Sequence, residues 1–210
     1  DEFVERGKKS TRIIADHIRG ATYILASNVI PSNKEQGYVL RRLIRRSVLH
    51  GERLGITNNF TSNIAKAVIE SHRNTDPELE KNEKFILEEI EAEENKFRKT
   101  IEEGLKELKK IFGRAIGGID PENLPKGMII SNNKIRVDGR EVFRIYETYG
   151  LPLEISQEVM TDWGLAFDDQ TMKEAKESMR LHQKKSRSAS SGMFKGGLAD
   201  TSEQTIMGHT

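Results

Sequence analysis

In RRLIRR, residues 41–46, the side chains of Arg41, Arg42, Arg45 and Arg46 are interrupted only by Leu43 and Ile44. The planar fork of arginine meets phosphate and carboxylate oxygens bidentately, so the chemistry open to this cluster is anion recognition. A helix through 37–54 turns about 100° per residue and puts Leu40, Leu43, Ile44 and Val48 on one side, with the arginines and Tyr38 on the other. Most charge runs are solvated helix surface. Such surfaces mix signs, however, and within this helix only Glu52 offers a counter-charge. The pattern therefore favours an anionic partner. Nucleic acid fits, with Tyr38 free to stack on a base or ribose. The competing partner is an acidic helix such as the Glu88–Glu94 region of the same chain.

Other chemistry is thinly represented. His17 falls inside an apolar helical face and reads as a buried histidine bonded to a neighbour. His50, His72 and His182 lack metal-ligand spacing and read as surface residues. There is no G-x-x-x-x-G-K-[ST] and no G-x-G-x-x-G after a strand, so IGGID and FKGGLAD read as turns and linkers. No Ser/His/Asp set or carboxylate pair emerges from spacing. These residues describe a binding surface without a catalytic site.

The elements that must position the arginines are mostly helical. Over 11–27, Ile13, Ile14, Ile18, Ala21, Ile24 and Leu25 share a face. The arginine helix follows and stops at Gly55. A shorter helix is predicted over 63–71. The fourth, 77–112, is long, with Asp76 to cap it, Pro77 at its first position and acids in its early turns. Leu79, Ile86, Ile90, Phe97, Ile101, Leu105, Leu108 and Phe112 recur at coiled-coil-like spacing, so this arm should pack along a partner helix in cis or in trans. GRAIGGIDPENLPKG reads as a linker and MIISNNKIRVDG as a small β-hairpin turning at Asn132–Asn133. Helices resume with GREVFRIYETYG, a segment after Pro152, and FDDQTMKEAKESMRLHQKK. From Ser186 a serine- and glycine-rich stretch reads as a flexible link.

The expected fold is thus predominantly α, divided as 1–115, 116–185 and 186–210. The 210 residues are 35% hydrophobic and 32% charged, a balance suited to elongated helices, and the net charge of +1 conceals 34 basic and 33 acidic residues segregated along the chain. The absence of cysteine excludes disulfides and thiolate metal sites and fits a reducing, cytoplasmic setting. No apolar run is long enough for a membrane span, and the N-terminus is no signal peptide. The chain lacks an initiator methionine and ends abruptly, and so reads as part of something longer.

Three segments carry a resemblance. RIIADHIRGATYILASNVIPSNKEQGYVLRRLIRRSVLHGERLG resembles a stretch of alanyl-tRNA synthetases, and RIYETYGLPLEIS looks like their second signature, usually written with Asp-Thr-Tyr-Gly. FKGGLADTSEQTIMGHT is similar to the lead-in to their editing domain. The matches fall in family order and cover most of the chain. In that family a class II catalytic core binding ATP, Mg and alanine is followed by a helical tRNA-recognition region and then a zinc-binding editing domain.

The resemblance implies that this chain is the recognition region with its linker, holding no cofactor itself. Its partners would be an alanine-specific tRNA acceptor stem and the catalytic and editing domains of its own parent. The parent would be an alanine–tRNA ligase, attaching alanine to tRNA at the expense of ATP, and this part would be inactive alone. Asparagine of the P-S-N turn and aspartate of the D-T-Y-G turn are the family's readers of a G·U wobble. They fall on Asn33 and Glu147, the latter longer by a methylene. Arg41, Arg42, Arg45, Arg46 and Tyr38 would then hold the tRNA backbone. His209 would open a His-x-x-x-His zinc motif if the chain continues as that motif does. The alternative from a different class is a structural module binding protein through the 77–112 arm.

Overall fold

A computed structural model of the chain describes residues 2–115, 120, 122–131 and 134–195, with the side chains of 2–3, 131, 134, 183 and 185–195 left aside. Among these residues the order is α1 (Glu2–Ala26), α2 (Glu35–Arg53), α3 (Thr61–His72), α4 (Pro77–Lys81), α5 (Glu83–Phe112), β1 (Met128–Ser131), β2 (Lys134–Val137), α6 (Gly139–Tyr149), α7 (Leu153–Asp162) and α8 (Asp169–Lys195). A single 3₁₀ turn, Gly113–Ala115, ends α5. The chain is predominantly helical, with the 30-residue α5 its longest described helix and one antiparallel hairpin pairing Met128 with Val137 and Ser131 with Lys134. The hairpin's expected turn residues Asn132–Asn133 lie outside the described residues, as does His209. The backbone of α8 runs on through 186–195, where a flexible link was expected to begin.

Two apolar clusters form around α5. The first joins Ile14, Ile18 and Leu25 of α1, Leu40 and Ile44 of α2, Ala65 and Ile69 of α3, Leu79 of α4, and Ile86 and Ile90 of α5. The second joins the end of α2 (Val48, Leu49) and the later turns of α5 (Phe97, Ile101, Leu108, Phe112) to the hairpin, α6, α7 and α8. The predicted 77–112 seam is thus filled in cis. Ile86, Ile90, Phe97, Leu108 and Phe112 are fully buried against the chain's own elements. Among the described residues, no large apolar side chain of the arm is exposed.

The arm is two helices rather than one. Asn82 breaks the run with φ −101° and ψ 10°. Its amide donates to the carbonyls of Glu78 (3.0 Å) and Ala26 (3.2 Å), a side-chain bond that competes with continuation of the helix and ties the corner to the end of α1.

Candidate nucleic-acid interface

The P-S-N turn is built on the first turn of α2. Ser32 N–H donates to the Gly37 carbonyl at 3.0 Å, and the Ser32 hydroxyl donates to the Lys34 carbonyl at 3.1 Å. The turn lies so close to α2 that a Cβ at position 37 would meet the Ile30 carbonyl at 2.6 Å, so glycine is required there. Asn33 is left exposed at the tip.

The second turn ends α6. Gly150 caps that helix in the left-handed region at φ 67°, its N–H donating to the Tyr146 carbonyl at 2.8 Å. Asn33 of the first turn and Tyr146 and Pro152, which flank the second, line one cleft together with Tyr38, Arg41, Arg42 and Arg45. Tyr146 immediately precedes Glu147, which is not among the lining residues. Glu147 is exposed on the neighbouring face of α6, its Oε1 3.0 Å from His182 Nε2 on α8.

The four arginines have different fates. Arg45, 5% exposed, sets its Nε 2.6 Å from Glu93 Oε1, gives Nη1 to the Gly150 carbonyl at 2.9 Å, and lies 4.9 Å over the Phe97 ring. Burial draws its guanidinium below the ordinary range, and Glu93 opposes that shift. Arg46 gives Nε to Glu158 at 2.9 Å and approaches His17 Nε2 at 3.2 Å. Arg41 bonds Asn33 Oδ1 and lies 3.3 Å from Glu93 Oε1. Arg42 makes no hydrogen bond or ion pair among the described residues. The expected stripe of four free guanidiniums is therefore narrower. Arg45 is enclosed and Arg46 engaged, because α5 and α7 supply the carboxylates that α2 lacks. For Arg45 the competing partner, the Glu88–Glu94 region, is the one the fold selects.

Tyr38 is half-buried and donates its hydroxyl to Glu154 at 2.8 Å. Burial and then Glu154 push its phenol well above the ordinary range, so it is a neutral donor beside the cleft.

A profile of tRNA synthetases class II (A) matches residues 2–205. The chain is 43% identical over 208 residues to an alanine–tRNA ligase of Treponema denticola, covering 98% of the chain and 32% of that relative. With the alanine–tRNA ligase of Treponema pallidum it shares 39% over 203 residues, 96% of the chain and 31% of the relative. The chain belongs to the class II alanyl-tRNA synthetase family. A Thermotoga maritima alanine–tRNA ligase is 38% identical over 180 residues, 86% of the chain and 18% of the relative. This chain thus spans about a third or less of the length of the alanyl-tRNA synthetases it matches.

The carboxylates that arm this site fall partly within the Glu88–Glu94 region named as a competing partner, although that two of them would be buried, and that Glu158 would join them, was not read from the sequence. Glu93 and Glu94 are 4% and 0% exposed. They sit between Ile90 and Phe97 at seam positions, and two acids inside an apolar periodicity are the signal that could have found them. His50, expected at the surface, is 1% exposed. Its Nδ1 lies 3.0 Å from Ser10 Oγ, and its Nε2 is 2.9 Å from Glu158 Oε1, off the line of a good hydrogen bond. It is buried where α1, through Ser10, and α7, through Glu158, approach the last turns of α2. Burial alone would raise the Glu158 carboxyl, but His50, Arg53 and Arg46 outweigh it and hold that group far below the ordinary carboxylate range.

Proposed function

We propose that this chain is the tRNA-acceptor-stem recognition region of an alanine–tRNA ligase, with Asn33 and Glu147 reading a G·U wobble pair. It would bind and orient tRNA in the cytoplasm while the ATP-dependent attachment of alanine takes place in the parent's catalytic core. ATP, Mg and Zn would be held by the parent's other domains. The observation that carries this reading is the meeting of the P-S-N turn with the end of α6 at one cleft rimmed by Arg41 and Arg42.

The chemistry of the pair suits the two side chains. A wobble leaves guanine's exocyclic amino group unpaired in the minor groove, where a carboxylate can accept it. It also displaces uracil O4 outward in the major groove, where an amide NH₂ can donate. A donor buried without a partner costs about 1–3 kcal/mol, enough for two such contacts to reject a G·C or A·U pair. The deep groove of duplex RNA normally excludes side chains, a restriction that eases near a helix end. Arg41 and Arg42, the guanidiniums that reach the cleft mouth, would hold phosphates and so position the readers, with Tyr38 beside them.

The test is binding of RNA minihelices that differ only at the wobble pair. The chain should prefer G·U over G·C, and Asn33→Ala should lose about fivefold or more of that preference. Equal affinity of the unaltered chain for both minihelices would overturn the assignment. Alanine-dependent ATP–pyrophosphate exchange by the chain alone should be absent.

A further inference from the structure

The two turns that carry Asn33 and Glu147 are joined through the protein by a relay of side chains. Asn33 Oδ1 accepts from Arg41 Nη1. Arg41 Nε lies 3.3 Å from Glu93 Oε1, and Arg45 Nε lies 2.6 Å from the same oxygen. Arg45 Nη1 then donates at 2.9 Å to the carbonyl of Gly150, 105 positions away in the chain and at the cap of the helix that bears Glu147. We propose that Glu93 is a positioning residue that bolts the two turns together, fixing both the gap between the base-reading side chains and the direction in which the Asn33 amide faces. This rests on the reading of Asn33 and Glu147 given above.

The chemistry of the links gives the relay its direction. A guanidinium has only donors, so the atom of Asn33 that meets Arg41 must be its carbonyl oxygen. The amide NH₂ is thereby left without a partner among the described residues, as a donor to an outward-shifted uracil O4 must be. Glu93 contributes one oxygen to two arginines while 4% exposed. A buried ion pair is weak as a device for stability, since its attraction is largely offset by desolvation, and its best-attested use is to set register. The Phe97 ring, 4.9 Å from the Arg45 guanidinium carbon, restricts the room in which that side chain could move away from Glu93 and Gly150. Seam periodicity alone would place an apolar residue at position 93.

The chain has no cysteine, so single cysteines introduced at the exposed positions Lys34 and Thr148 can be spin-labelled without background. With Glu93 intact, the label-to-label distance should be one narrow distribution. Glu93→Gln keeps the volume but turns one acceptor oxygen into an NH₂ that faces a guanidinium. It should widen that distribution about twofold and cut the G·U over G·C preference about fivefold, with the G·C affinity itself changed less than about twofold. Should Glu93→Gln fail to fold, as judged by its melting curve, Arg45→Lys serves in its place, because an ammonium cannot bridge Glu93 and the Gly150 carbonyl with the same fork. An unchanged distance distribution in the folded variant overturns the bolt. If the unaltered chain shows no G·U preference and the distribution still widens, the bolt stands and the base reading falls.

Discussion

Arg42 and Arg45 are three positions apart on one helix, and the fold gives them opposite tasks. Arg42 rims the cleft with no ion pair among the described residues, whereas Arg45 is enclosed between Glu93, Gly150 and Phe97. Arg42→Gln should weaken binding of every minihelix alike and flatten the dependence of log K on log salt by about 0.7–0.9 for the lost phosphate contact. An unchanged slope would remove Arg42 from the interface. Arg45→Ala should act on folding instead, at a cost of about 3–5 kcal/mol in urea unfolding, because it leaves Glu93 buried with part of its counter-charge gone. That the helix carried an anion-seeking arc was legible from residue types and spacing. Which arginines the arc leaves to solvent was not. Helical angle sorts side chains about one axis and says nothing of where α5 and α7 come to lie. Glu147 shows the same limit, since its contact with His182 joins residues of two helices that no local pattern relates.

At the scale of elements, α3 depends on a residue that belongs to another helix. Its N-cap, Phe60, has no side chain able to cap. Glu94 of α5 substitutes, accepting from Thr61 N–H at 3.0 Å, from Phe60 N–H at 3.3 Å and from the Thr61 hydroxyl, and it is itself held by Arg98 Nε at 3.0 Å. Glu94→Ala would orphan buried donors at the start of α3. It should destabilise the chain by about 2–3 kcal/mol and accelerate amide exchange at Phe60 and Thr61 ahead of exchange in the core. A melting temperature and exchange rates equal to those of the unaltered chain would refute that capping role. The helices themselves were readable because each buries one stripe, and the Ile18–Leu25 and Ile86–Phe112 periodicities register it directly. The break at Asn82 was not, because one of the two bonds of its amide runs to Ala26, in a helix distant in sequence.

Over the whole molecule, α5 threads both apolar clusters, and ion pairs fasten their remaining boundaries. Glu158 of α7 holds Arg46 and Arg53 of α2 at 2.9 and 2.6 Å, with His50 alongside. Glu174 of α8 holds Arg136 of β2 through Nη2 at 2.5 Å and Nη1 at 2.9 Å. That Arg136 pair brings the Glu174 carboxyl from 4.5 down to about 2, and Glu158 is held lower still. A carboxyl depressed by folding binds fewer protons in the folded chain than in the unfolded one. Its contribution is therefore complete above about pH 4.5 and is lost as the pH falls through the folded value. His17 adds to the same slope from a higher starting point. Burial and Arg46 lower its pKa below 6.5, so the unfolded chain takes up its proton first as the pH drops below that value. Urea midpoints should accordingly hold steady above about pH 6.5, decline gently below it, and fall steeply between about 4.5 and 2. Glu158→Gln combined with Glu174→Gln should lower the midpoint at neutral pH and remove most of the steep limb, so that the two curves converge near pH 2. Curves that instead run parallel down to that pH would mean that neither the α2–α7 pairs of Glu158 nor the β2–α8 pair of Glu174 carries the acid limb.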